Sequence, residues 1–85
     1  MYLHLGENTV VMSEDIIGIF DLDNASRSMI TRDYLTKAQK ENRIINVSYE
    51  LPKSFVVCME NMEENVYIVQ LSSATICKRL KNIDL

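Results

Sequence analysis

The sequence predicts an α+β fold with mainly antiparallel strand pairing and elements in the order βββαβββα. Two observations carry that prediction. Short β-branched runs are separated by turn residues, and the hydrophobic period changes twice from strand-like to helical, once mid-chain and once at the end. Neither a repeat nor a low-complexity linker interrupts the 85 residues, which are expected to form one domain, residues 1–85.

The elements follow in order. Tyr2-Leu3-His4-Leu5 and Thr9-Val10-Val11-Met12 flank Gly6-Glu7-Asn8, a turn signal, and read as a hairpin. Ser13-Glu14-Asp15 breaks the run, and Ile16-Ile17-Gly18-Ile19-Phe20 resumes it. Gly18 inside that strand marks a bulge or a close backbone approach. Asp21 to Asn24 ends it. Ser26 or Ser28 can cap a helix of roughly 12–15 residues, in which Ile30, Tyr34 and Ala38 share a face beside Met29 and Leu35. Asn42-Arg43 closes this helix. Ile45, Val47 and Tyr49 then alternate against Asn46 and Ser48, as a strand requires. Leu51-Pro52-Lys53 is a connection, since proline has no amide for a ladder. The continuous apolar run Ser54–Met59 is the candidate central strand. Asn61 to Asn65 turns the chain, Val66–Gln70 pairs back, and Ser72-Ser73 caps a last helix with Ile76 and Leu80 inward.

Composition narrows the function. The chain is 47% apolar and 25% charged, the balance of a folded globule. It has no tryptophan and two phenylalanines, so the core is expected to be Ile, Val, Leu and Met. A chain of this length buries only roughly 60–65% of its unfolded surface, which hints that a second copy completes the core. Net charge is −3, too acidic to announce nucleic acid. Yet charge is segregated: residues 1–26 hold five acids and no Lys or Arg, whereas residues 27–53 hold six bases and three acids. No basic leader region precedes Tyr2-Leu3-His4-Leu5, and no apolar run approaches the ~18 residues of a membrane span. The chain therefore reads as cytoplasmic, with Cys58 and Cys77 as reduced, buried small hydrophobes.

Catalysis lacks parts. His4 is the lone histidine and has no partnered nucleophile in any motif. One histidine and two distant cysteines cannot assemble a zinc site. Asp21 and Asp23 follow a strand, where aspartates usually form turns, and the calcium-loop spacing is missing. The expectation is no enzyme, no metal, no cofactor and no small-molecule substrate. Lys78, Arg79 and Lys81 crowd the last helix, where cations also suit the negative end of the helix dipole.

Several segments together carry a resemblance. Met1 to Gly6, Val10-Val11, Asp15 to Asp21, Pro52-Lys53-Ser54 with Val56-Val57, and Leu71 to Thr75 ending in Lys78-Arg79 resemble the RemA/RemB extracellular matrix regulatory family of Firmicutes, the RemB branch more closely. The resemblance spans nearly the whole chain and is most specific in the first twenty residues. It implies a cytoplasmic transcriptional regulator of biofilm-matrix genes that acts as a homo-oligomer, ring-shaped in the RemA branch, with LytTR-like pairing of protomers and a basic rim for double-stranded DNA. The candidate DNA contacts are Lys53, Arg43, Lys78 and Arg79.

This sequence also departs from the pattern. The RemA branch has adjacent arginines before the central strand, and Leu51-Pro52-Lys53 offers one cation there. Val69-Gln70 replaces a Ser-Pro pair common in RemB-like chains, and the Asn61–Asn65 connection looks longer and more acidic. Because phosphate neutralisation grows with the cations engaged, an alternative stands beside DNA binding. It is a scaffold oligomer acting through a protein partner such as a RemA-type regulator, for which exposed Met12, Met29, Met59 or Met62 would suit adaptable contacts.

Overall fold

Alternation in two central strands decides which residues meet in the interior. The computed structural model describes residues 1–25, 28–48 and 50–83. Strands β1 (Tyr2–Gly6) and β2 (Thr9–Met12) form an antiparallel hairpin. A short 3-10 turn at Ser13–Asp15 leads into β3 (Ile16–Asp21), a single-turn helix α1 (Leu22–Ala25) and α2 (Met29–Lys40). Then come β4 (Ile44–Asn46), β5 (Ser54–Glu60), β6 (Glu63–Val69) and α3 (Ser73–Ile83).

The second sheet has the order β3-β5-β6-β4. The run 54–59 is indeed central, paired with β3 and β6, both antiparallel. β4 is the exception and pairs parallel with β6. The crossover that parallel pairing requires is supplied by β5 and its connections.

Side chains alternate across this sheet. Val56, Cys58, Tyr67 and Val69 point to one face, where the hairpin's Leu3, Leu5 and Val11 and α3's Ile76 cover them. Phe55, Val57 and Val66 point to the other, where Ala38, Tyr34 and Leu35 of α2 meet them. Methionine contributes nothing to either core: Met1, Met29, Met59 and Met62 are exposed and Met12 is half-buried. Short β-branched residues close the sheet without flexible filler.

The register of β3 slips between Ile16 and Gly18, the bulge that Gly18 foretold. A Cβ at Gly18 would come within 2.5 Å of the Phe20 ring. The bare backbone lets that ring lie back over the strand, stacked on Phe55 with centroids 4.9 Å apart.

Local sequence explains the helix ends. Ser28 caps α2, its Oγ accepting from Thr31 N at 3.5 Å, and Ser72 caps α3, its Oγ accepting from Thr75 N at 3.2 Å. Ser26, the other proposed cap, lies outside the described residues, as does Tyr49. Asp21 Oδ1 accepts from Asp23 N at 2.8 Å, so this pair forms a turn.

Four expectations need correction. β4 ends at Asn46, because Val47 turns its side chain under Gly6 of the hairpin. Residues 61–65 are no loop: Glu60 pairs with Glu63, and Asn61 and Met62, with φ of 50° and 67°, make a two-residue turn. Ile30 shares a face with Ala38 but is 82% exposed, because it borders an open groove beside β3 instead of a packed neighbour. Cys77 is exposed rather than buried, since Ile76 and Leu80, four apart, take the inward stripe of α3 and leave the next position facing water.

Candidate nucleic-acid interface

Lys53 sits where three elements converge. Its N–H donates to Val69 O (2.9 Å), and its carbonyl accepts from Leu22 N (3.0 Å). The next residue, Ser54, is fully buried and donates through Oγ to Leu71 O at 2.6 Å. That bond ties the start of β5 to Leu71, just ahead of Ser72, the cap of the helix that carries Lys78 and Arg79. Those two follow Ser73 by five and six residues, about 8–9 Å along the axis. All three side chains are exposed. Arg79 also reaches back to β1, its Nη1 donating to His4 O at 3.0 Å.

Arg43 is elsewhere. It follows α2 and lies against the opposite face of the sheet, 5.8 Å over the Tyr34 ring. Its Nε and Nη2 both reach Glu41 Oε1 at 2.8 Å, and its Nη1 donates to Glu64 O at 3.0 Å. Nη1 also lies 3.5 Å from Glu64 Oε2, the oxygen that accepts from the Tyr34 hydroxyl. Burial, then the hydrogen bond to Glu64, raises the Tyr34 pKa. Arg43 thus joins the end of α2 to the β5–β6 hairpin. Lys53 is exposed at the start of β5 and Lys78 and Arg79 are exposed on α3, while Arg43 is packed against Tyr34 and Glu64.

Sequence reasoning did not find Glu64 as Arg43's partner, because the two are 21 positions apart. The acidic Glu63-Glu64 pair beside a two-residue turn was the available signal. It also missed a groove of about 320 Å³ between β3 and α2, lined by Ile17, Phe20, Ile30, Tyr34, Phe55 and Glu64 among others. Gly18 in β3 and the apolar Met29-Ile30 at a helix start were its only traces.

The thiols have distinct environments. Cys58 is buried among apolar side chains, and burial, with Glu60 and Asp15 nearby, pushes its pKa up to about 12. At pH 8 a soluble disulfide reagent is therefore expected to titrate Cys77 promptly in the folded protein and Cys58 only after unfolding. Two fast equivalents would contradict this core assignment.

Comparison with known proteins gives these features a setting. The family model for RemA-like proteins, described as extracellular matrix regulatory protein A-like, matches residues 2–80. Extracellular matrix regulatory protein B of Bacillus subtilis (strain 168) is 39% identical over 79 residues, spanning 93% of this chain and 89% of that protein. Both names describe regulators of the extracellular matrix. The chain belongs to the RemA-like family of extracellular matrix regulatory proteins.

Proposed function

We propose that this protein regulates extracellular-matrix genes as a cytoplasmic homo-oligomer that contacts duplex DNA through Lys53 and the outer face of α3. The observation that supports this reading is the exposure of Lys53 at the start of β5 and of Lys78 and Arg79 on α3. Lys53 and Lys78 make no ion pair or side-chain hydrogen bond among the described residues, so their charge is available to phosphate. Three cations per protomer on a net −3 chain bind DNA weakly alone. Copies linked in one assembly act at high effective concentration and bind far more strongly.

The test is DNA affinity across a salt series. Affinity is expected to fall steeply with salt, and Lys53→Ala is expected to lower the log–log slope by about 1 for each protomer engaged. Absence of binding at low salt with the assembly intact would defeat the DNA reading. That outcome would favour a second reading, an oligomer acting through a protein partner such as a RemA-type regulator. Its support is Arg43, whose guanidinium is committed to Glu41 and Glu64.

A further inference from the structure

The groove between β3 and α2 is apolar over most of its lining and charged at one residue. Phe55 and Val57 are buried in its base, and Phe20, stacked on Phe55, is 45% exposed. Ile17, 59% exposed, and Ile30 border it. Its volume of about 320 Å³ suits one ring with a short chain, at the lower end of the range for small-molecule sites. Thr31, Tyr34 and Glu64 supply the polar side chains, and no Lys or Arg among the described residues lines it.

Glu64 is only half engaged. Its Oε2 accepts from the Tyr34 hydroxyl and lies 3.5 Å from Arg43 Nη1, whereas Oε1 has no hydrogen bond or ion pair among the described residues. Arg43 does not balance the site. Its Nε and Nη2 both sit on Glu41 Oε1 at 2.8 Å, closer than Nη1 is to Glu64. One guanidinium thus serves two carboxylates, and the Glu64 side chain, 32% exposed, is within reach of a ligand.

We propose that this groove binds a small arylalkylammonium ligand, an amine carried on a short chain from an aromatic ring. The ring lies against Ile17, Phe20 and Ile30, and the ammonium donates to Glu64 Oε1. Exposed isoleucines and a phenylalanine gain when apolar surface covers them, and ring-on-ring contact at Phe20 adds to that gain. The ammonium supplies, through a charge-assisted hydrogen bond, the positive charge that Arg43 divides between two acids. A ligand carboxylate in the same place would meet Glu64 as a like charge. Neither DNA contact nor assembly is required for this site.

Three probes of similar shape test it: phenethylamine, phenethyl alcohol and phenylacetate, titrated at neutral pH into the parent protein and followed by NMR. The Ile17 and Ile30 methyl groups and the Phe20 ring are expected to shift saturably with the amine. The amine should bind about fivefold or more tightly than the alcohol, with phenylacetate weakest. A chain of net charge −3 draws any cation, so the place of the shifts and two variants decide the matter. Glu64→Gln keeps a carbonyl oxygen for the Tyr34 hydroxyl but removes the charge, and is expected to bring amine and alcohol to equal affinity. Ile30→Lys sets a cation at the border of the groove, at a position too exposed to matter for folding, and is expected to weaken the amine more than the alcohol. Circular dichroism matching the parent qualifies each variant, and the comparison of probes on the parent needs neither. Equal affinity of the parent for all three probes, shifts confined to other surfaces, or no saturable binding of the amine would each overturn the proposal. An amine preference that survives either substitution undiminished would do the same.

Discussion

Replacing Ile76 with alanine is expected to destabilise the protein by about 2–5 kcal/mol, the usual cost of emptying a buried aliphatic site. Ile76 is fully buried and is the residue through which α3 enters the core formed by Leu3, Leu5, Val11, Val56 and Val69. Its removal loosens α3, the amino-terminal hairpin and the central sheet together. A chain of 85 residues holds only about 4–13 kcal/mol in total. The melting temperature should therefore drop by about 10 °C or more, measured at one fixed protein concentration because assembly shifts it. Exposed Cys77→Ala, one position on, is the control and should move it by less than about 0.5 kcal/mol. Similar losses at both positions would mean that α3 is turned differently on the sheet.

Arg43→Ala is expected to cost about 1–3 kcal/mol in stability and to leave DNA affinity per folded molecule unchanged. The pair with Glu41, itself 48% exposed, contributes little of this. Most comes from the bond to the Glu64 carbonyl and from the Glu64 carboxylate and Tyr34 ring left without their cation. Arg43→Lys should recover only part, because an ammonium cannot span Glu41 and Glu64 while lying over a ring. Denaturant titration beside DNA binding decides the matter. Unaltered stability with weakened binding would return Arg43 to the phosphate contacts.

The sequence was most informative where a residue's own chemistry sets the local geometry. Gly18 announced its bulge, Ser28 and Ser72 their caps, and the apolar run 54–59 its central place, because each depends on near neighbours. Long-range choices were hidden. That β4 would pair with β6, in parallel, depends on how α2 crosses the sheet, and Ile44-Ile45 reads the same in either direction. The burial of Ile30 was overestimated because helical periodicity shows which face is apolar but not whether a neighbour packs against all of it. The candidate interface divided similarly. Lys53, Lys78 and Arg79 are as exposed as charge pattern suggests, while Arg43 differs because of Glu64, a partner visible only once the hairpin folds.

The central position of β5 also bears on how the chain becomes a protein during synthesis. β1, β2 and β3 leave the ribosome before residues 22–53, and β5 and β6 appear only after those. Until then Leu3, Leu5, Val11 and Ile19 have no surface to cover and must wait, hydrated, at the front of the nascent chain. The β5–β6 hairpin closes through the two residues Asn61 and Met62, as the β1–β2 hairpin closes through Glu7 and Asn8. Both are local closures, and the face of the sheet that the first covers exists only once the second has been made. Residues made first are thus covered last. A cut between β4 and β5 would separate the first-made strands from the sheet that covers them.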